Sequence, residues 1–323
     1  MSELDPKTQK SWQLIEKLVL QNSRTLRNQQ RWSIFFRLLF FIYVGCFLWL
    51  AWPTAGGEAG TGASRHGPEV AQVYIDGLIA AGTDANAETI NAGLEDAFKS
   101  SSKLIMLTIN SPGGSPVQAG QVYREIRHLK AKYPKKKVVA VITDVGASGA
   151  YYIAAAADEI YADPASIVGS IGVIMEGFGF EGVLKKLGVE RRVLTAGTNK
   201  DMLDPFQPMN DTQVKYVKAM LDDIHGQFIQ AVKDGRGKRL DSKNHPELFS
   251  GLFWTGDQAL KLGLIDGLGS PLSVARELTG NANLVDYTYY PNRFEKLMQR
   301  FGASISQSAL RSLGLDSQAP ALR

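Results

Sequence analysis

The chain has 323 residues, with 36 lysines and arginines against 32 aspartates and glutamates, for a formal net charge of +4. Apolar residues make up 44% of it and charged residues 21%, which excludes a disordered chain, a collagen-like repeat and a coiled coil. So small a net charge gives no argument for nucleic-acid binding, and the single cysteine excludes intramolecular disulfides and cysteine-based zinc sites.

A long apolar segment lies near the N-terminus. Residues 33–52 read SIFFRLLFFIYVGCFLWLAW and carry one charge, Arg37. A helix of this length spans about 30 Å, the thickness of the hydrocarbon core of a bilayer. Trp32 at one end and Trp49 and Trp52 at the other have the positions of an interfacial aromatic belt. The sequence therefore predicts one transmembrane anchor at 33–52; a cleaved signal peptide is the alternative, although its apolar region is usually shorter.

The charges that flank this segment predict its orientation. Residues 1–32 carry six basic and three acidic side chains, whereas residues 53–69 are rich in Gly, Ala and Thr. Because basic flanks stay in the cytoplasm, we expect 1–32 to be a cytoplasmic segment of a single-pass protein of the inner (cytoplasmic) membrane. Residues 53–69 then form a flexible linker to a domain at 70–323 on the outer, periplasmic side.

From residue 70 onward, apolar runs typical of strands alternate with amphipathic helical patterns. Strands are predicted at 70–80, 104–110, 138–145, 159–175 (two short strands) and 191–197, and helices at 86–100, 117–133, 147–157 and 212–234. This alternation predicts an α/β fold with mostly parallel strands that are buried on both faces. A further amphipathic helix is predicted at 292–313, near the C-terminus.

The first motif with chemical potential is NSPGGSP at residues 110–116, between a predicted strand and a predicted helix. Two consecutive glycines allow positive φ angles and a close approach of the backbone to a ligand. Backbone N–H groups at such a turn can stabilise a developing oxyanion. The alternative is an ordinary strand-to-helix turn.

The second motif is DVGASGAYYIAAAADEI at residues 144–160, in which Ser148 directly follows an apolar strand. At the first turn of a helix its hydroxyl can act as a nucleophile, with the N–H of Gly149 facing the same space. The alternative is that Ser148 is only a helix N-cap. The pattern differs from the G-x-S-x-G elbow, because Ala150 stands where the last glycine belongs.

A serine nucleophile needs a base. His225 and His245 lie downstream, but no spacing links either histidine to Ser148. Lysine is the other base known for serine, and it must be neutral to act, which partly apolar surroundings favour. Lys200 in TAGTNKDMLDPF is the candidate lysine, with Ser170 in IVGSIGV as a hydroxyl to orient it; solvation in a loop is the alternative for Lys200.

Residues 177–182 also match the glycine spacing G-x-G-x-x-G of dinucleotide-binding turns. The helical pattern that follows covers only about eight residues, which leaves little room for a full crossover. We therefore expect no nucleotide cofactor.

Together these residues resemble the signal peptide peptidase A (SppA) family of membrane-anchored serine proteases. The resemblance rests on INSPGGSP at 109–116, on the block at 143–174, and on Lys200-Asp201 followed by Pro205-Phe206. It implies a spiral of β-β-α units like that of crotonases and Clp proteases. It also implies a membrane-anchored serine endopeptidase that degrades remnant signal peptides and other apolar peptides, with no cofactor and no metal.

The resemblance also implies the roles of particular residues. Ser148 is then the nucleophile and Lys200 the general base of a Ser–Lys dyad, while Ser170 orients the lysine. The N–H groups of Gly114 and Gly149 form the oxyanion hole. The chain looks like the short form of the family, so Lys200 is expected to reach Ser148 of a neighbouring subunit in a homo-oligomer.

Two other functions remain open at this point. A crotonase-like acyl-thioester enzyme shares the glycine-rich oxyanion loops but needs neither Ser148 nor Lys200. A non-catalytic membrane scaffold keeps the fold and loses nothing when Ser148 is changed.

Overall fold

The computed structural model describes residue 32, residues 34–45 and residues 70–290. Residues 34–45 form a helix, α1, which covers part of the predicted anchor. Among the described residues, no helix combines the length and the apolar character needed to cross a bilayer. Ser33, residues 46–52, most of 1–32, the linker at 53–69 and the predicted helix at 292–313 lie outside the described residues, so the anchor and its orientation stay predictions.

Residues 70–290 form an α/β unit built on one sheet of eight strands. The strands are β1 Val70–Asp76, β2 Leu104–Ser111, β3 Lys137–Ala147, β4 Glu159–Ala162, β5 Ile167–Gly169, β6 Phe253–Thr255, β7 Gly267–Leu268 and β8 Leu284–Asp286. The main order is β6-β5-β3-β2-β1-β8, with β4 pairing with β3 and with β7. All pairs are parallel except β5 with β6, which confirms the predicted α/β class.

Seven helices complete this unit: α2 Ala87–Lys99, α3 Pro116–Lys132, α4 Gly149–Ala154, α5 Glu181–Leu187, α6 Asp211–Arg236, α7 Gly256–Lys261 and α8 Pro271–Thr279. Alternate residues of the central strands point to opposite faces of the sheet. On one face Val73, Leu107 and Ala140 pack with side chains of α2, α3 and α4 in the main core. On the other face Met106 and Val139 pack with residues of α8. The central strands are therefore buried on both faces, as the apolar runs predict.

Residues 174–210, which we call the arm, project from this unit. They contain α5, and none of them is buried, although the structure describes them all. The arm folds back on itself: the N–H of Phe180 donates to the Pro205 carbonyl at 2.6 Å, the Phe180 ring packs on Phe206, and Arg191 forms an ion pair with Asp204. The prediction of a strand at 191–197 is wrong, because this segment has no partner strand in the described unit.

Candidate active site

Ser148 lies at the sharp turn between β3 and α4. Its backbone angles, φ 54° and ψ −125°, are rare for a residue with a side chain. It occupies the N-cap position of α4, yet its side chain makes no capping hydrogen bond. The structure therefore does not show the simple N-cap role that the sequence left open for Ser148. The strained turn leaves the half-buried hydroxyl available for chemistry.

Contacts from several elements hold this turn. The N–H of Ser148 donates to the carbonyl of Gly169 on β5 at 2.8 Å. One turn into α4, the hydroxyl of Tyr151 donates to the carbonyl of Leu264 at 2.6 Å. Burial raises the pKa of the Tyr151 phenol well above its usual value, so the phenol keeps the proton that it donates. The helix that follows Ser148 is thus anchored to the body of the domain.

The two glycines of the first motif lie directly against Ser148. Gly113 and Gly114 have φ angles of 94° and 146°. A Cβ atom on Gly113 would lie 2.6 Å from the amide nitrogen of Gly149 and 2.7 Å from Cβ of Ser148. A Cβ atom on Gly114 would lie 2.1 Å from the carbonyl oxygen of Ile79. Only glycine fits at these two positions, which brings one loop against the other.

This close approach places two unpaired backbone N–H groups side by side. A Cβ atom built on Gly149 would lie 3.3 Å from the amide nitrogen of Gly114. Within residues 70–290, neither the N–H of Gly114 nor that of Gly149 donates a hydrogen bond. Two such donors beside a serine hydroxyl have the arrangement that stabilises a tetrahedral oxyanion.

Ser170 lies beside the nucleophile because β5 pairs in parallel with β3. The last pair in register is Ala147 with Gly169, so Ser148 and Ser170 are the first residues after the ends of the two neighbouring strands. Ser170 also has a positive φ, 51°, and its N–H donates to the carbonyl of Leu252 at 2.7 Å. The structure thus brings the predicted orienting serine next to the predicted nucleophile.

Lys200 lies on the arm and is exposed. Its N–H donates to the carbonyl of Gly197 at 3.1 Å. Within the part of one chain that the structure describes, no hydrogen bond joins the lysine side chain to Ser148 or Ser170. The structure of a single chain therefore brings together Ser148, Ser170 and the two glycine N–H groups, while Lys200 is exposed and makes no hydrogen bond to either serine.

The two downstream histidines have other partners. A ring nitrogen of His225, Nε2, lies 3.0 Å from the carbonyl oxygen of Ile171. In His245, Nδ1 lies 2.9 Å from a carboxylate oxygen of Glu247. Neither contact involves Ser148, so the described residues do not assemble a Ser-His arrangement. Among them, no three His, Cys, Asp or Glu side chains lie close enough together to bind a metal ion.

Sequence reasoning missed several residues that shape this site. The hydroxyl of Ser111 accepts from the N–H of Gly113 at 3.1 Å, and Ile79 forms an isolated bridge with Gly114. The contact between His225 and Ile171 joins residues 54 positions apart. In the sequence, only the two consecutive glycines indicated a close approach of the backbone. They did not identify the segment against which the backbone packs.

Known proteins resemble this chain over the region of the site. Residues 130–285 match peptidase family S49. A putative protease of Synechocystis is 34% identical over 202 residues, which cover 62% of this chain and 70% of that protein. A putative signal peptide peptidase SppA of Enterococcus faecium is 31% identical, over 58% of this chain and 53% of that protein.

Another relative carries a different name. A protein of Brucella melitensis named Na(+)/H(+) antiporter NhaA is 50% identical over 219 residues, which cover 66% of this chain. The match spans only 29% of the length of that relative, and the same holds for its counterpart in Brucella abortus. Most of each antiporter-named protein therefore lies outside the similarity.

Proposed function

Because the chain belongs to peptidase family S49, we propose that it is a serine endopeptidase in which Ser148 is the nucleophile and Lys200 the general base. The observation that carries the proposal is the geometry at Ser148. Its hydroxyl makes no capping bond, its turn is strained, and two unpaired N–H groups lie beside it. Antiport is not proposed, because the match covers 29% of each antiporter-named relative.

The reaction follows from these positions. Neutral Lys200, oriented by Ser170, takes the proton of the Ser148 hydroxyl as the oxygen attacks the carbonyl carbon of a peptide bond. The oxyanion that forms accepts hydrogen bonds from the N–H groups of Gly114 and Gly149. Lys200 then gives the proton to the leaving amine, which leaves an ester on Ser148. Water, deprotonated by the same lysine, hydrolyses the ester and releases the acid.

Lys200 reaches the serine of a second copy of the chain in this proposal. The arm that carries it has exposed apolar side chains that one chain leaves uncovered, each at least 70% exposed: Ile174, Phe178, Leu187, Leu194 and Met209. Exposed apolar surface of this kind is typical of a protein interface. A homo-oligomer therefore both buries the arm and completes each active site.

The substrate and the location are part of the same proposal. The apolar segment at 33–52 supports a single-pass anchor with a cytoplasmic N-terminus and the catalytic domain on the outer, periplasmic side of the inner membrane. An anchored peptidase meets peptides at the membrane surface, which supports remnant signal peptides and other apolar peptides as substrates. The fold proposed for the assembled domain is the crotonase- and Clp-protease-like spiral.

The test measures cleavage of a quenched fluorescent apolar peptide by the full-length chain in detergent from about pH 6 to pH 10, the range over which a lysine base becomes neutral. We expect the rate to rise with pH, and Ser148→Ala to lower kcat/KM by at least about 10⁴-fold. Lys200→Ala is expected to lose activity likewise, while Lys186→Ala, on the same exposed arm, keeps it.

The other possible outcomes of this test favour other functions. Peptide cleavage that survives Ser148→Ala contradicts the dyad and favours a histidine-based or unrelated hydrolase. Turnover of an acyl thioester in place of the peptide favours the crotonase-like acyl-thioester enzyme. A folded wild-type chain that cleaves no peptide and forms no adduct with a fluorophosphonate favours the non-catalytic scaffold.

A further inference from the structure

One hydrogen bond closes the base of the arm. The chain leaves the body after Ile171, which is fully buried, and returns to it in α6, on which His225 lies. Nε2 of His225 is 3.0 Å from the Ile171 carbonyl oxygen, and a carbonyl can only accept, so the ring nitrogen donates. The bond thus joins the segment that precedes the arm to the helix that follows it.

The segment 169–171 is held by hydrogen bonds at both of its ends. The carbonyl of Gly169 accepts from the N–H of Ser148 at 2.8 Å. Two residues later the carbonyl of Ile171 accepts from His225. Ser170 lies between these bonds with a positive φ of 51°. The same three residues therefore contact Ser148 at one end and α6, the helix that follows the arm, at the other.

The part of α6 beyond His225 is fixed to the nucleophile helix. The ring of Phe228 stacks on Tyr152 of α4, with centroids 4.8 Å apart and planes 9° apart. Gly235 lies so close to α4 that a Cβ atom there would be 1.8 Å from the carbonyl oxygen of Ala155. Before His225, by contrast, α6 is mostly exposed. His225 thus marks the point where α6 leaves the body toward the arm.

We propose that His225 is a positioning residue: its hydrogen bond to the Ile171 carbonyl fixes the Ser170 turn and the base of the Lys200-bearing arm together. The inference rests on the proposed function, because it assigns the bond a role in presenting Ser170 and Lys200 for catalysis. Among the described residues, neither ring nitrogen of His225 makes a hydrogen bond to Ser148. The histidine therefore serves the reaction through geometry and not as the base that takes the proton of Ser148.

The test compares His225→Phe, which removes the donor, with His225→Gln, whose amide can donate to the same carbonyl. His128→Phe, an exposed histidine on α3, is the matched control. We expect His225→Phe to lower kcat by roughly five- to tenfold, the worth of one hydrogen bond, with KM changed less than about twofold. His225→Gln is expected to restore kcat to within about twofold of the wild type.

A second readout does not depend on activity. In a Ser148→Ala background, which prevents self-cleavage, we expect trypsin to cut the arm at Lys185, Arg191 or Lys200 faster in His225→Phe, by about the same factor as the loss of kcat. Wild-type kcat together with unchanged trypsin cleavage in His225→Phe would overturn the inference. An inactive His225→Gln would also overturn it, since it would make the imidazole itself a base.

The two proposals fail in different ways. A wild-type chain without peptidase activity contradicts the proposed function alone, and trypsin cleavage of the arm then decides the role of His225. An active wild type with unaffected His225 variants contradicts only the positioning role.

Discussion

Ser148 is held in a conformation that costs about 1–3 kcal/mol for a residue with a side chain. The bonds and contacts that hold it come from the end of β5 and from the loop after β2: the Gly169 carbonyl accepts from its N–H, and Gly113 lies against its Cβ atom. The strained turn directs the hydroxyl away from the end of α4, where an unstrained serine would cap the helix. The glycine pair therefore supports the strained turn at Ser148, and Gly114 supplies one of the two oxyanion donors of the proposed function.

Substituting Gly113 by alanine tests this support. The new Cβ atom would lie 2.6 Å from the amide nitrogen of Gly149, at a φ of 94° that alanine rarely adopts. We expect Gly113→Ala to lower the free energy of unfolding by at least about 1–2 kcal/mol, measured by urea denaturation. Peptide cleavage is expected to fall by at least about 100-fold, because the oxyanion donor and the serine shift apart.

The matched control is Gly120→Ala, on α3. A Cβ atom there would be nearest to Nη1 of Arg124, at 3.2 Å, and this long side chain can move. Alanine is the better helix former, so stability should stay within about 1 kcal/mol of the wild type, with activity kept. Wild-type cleavage by Gly113→Ala would contradict the assignment of this loop to the active site.

At the scale of elements, a buried ion pair ties α6 to the central sheet. The guanidinium of Arg236, 1% exposed, donates two hydrogen bonds to the Asp266 carboxylate. Asp266 also accepts from the N–H of Ile160 on β4 and from Arg239. Burial alone would raise the pKa of Asp266, but these donors and the two positive charges outweigh it and lower the pKa below its usual value.

Asp266→Asn should lower the free energy of unfolding at neutral pH by about 3–5 kcal/mol, because it leaves Arg236 buried without a counter-charge. A lowered pKa stabilises the fold above the unfolded-state value of about 3.9, and this contribution is lost as the pH falls through the lower folded-state value. The difference from the wild type should therefore be constant down to about pH 4 and shrink below it.

Urea denaturation from about pH 7 down to about pH 3 measures this difference. Asp96→Asn is the control, since its carboxylate is exposed and 3.9 Å from Lys99, and it should change stability by less than about 1 kcal/mol. A difference for Asp266→Asn that does not shrink below about pH 4 would show that the carboxylate has no lowered pKa.

The sequence predicts the long elements well and the short ones poorly. The apolar runs at 104–110 and 138–145 are found in β2 and β3, because buried parallel strands need continuous apolar residues. The strands β6, β7 and β8 are two or three residues long, too short to show any period. At residues 191–197 the sequence predicts a strand that the structure does not contain. The apolar side chains of this segment lie on the arm, where Leu194 is fully exposed.

For the candidate site, too, the sequence predicts some contacts and not others. The closeness of Ser148, Ser170, Gly113 and Gly114 could be predicted because each lies within three residues of the end of a buried strand, and parallel strands end at the same edge of the sheet. The contact between His225 and Ile171 and the pair of Arg236 with Asp266 could not. Both join residues far apart in the chain through side chains that a sequence pattern assigns to solvent.

For the whole molecule, the central feature is that Lys200 and Ser148 of one chain share no hydrogen bond among the described residues. The lysine lies on an exposed arm with an apolar surface, while the rest of the site is assembled on the carboxyl edge of the sheet. In the proposed function each dyad therefore lies between two copies of the chain. A catalytic site shared in this way is built only when the chains associate.

The most direct measurement mixes full-length Ser148→Ala with full-length Lys200→Ala, dissociates and reassembles the oligomers in detergent, and follows cleavage of the apolar peptide. A shared site predicts no activity from either variant alone and recovery in the mixture of up to about one quarter of wild-type sites at equal amounts, as random association of two chains gives. Activity of Ser148→Ala on its own would contradict the dyad. Two inactive variants that exchange subunits and recover nothing would contradict a site shared between copies.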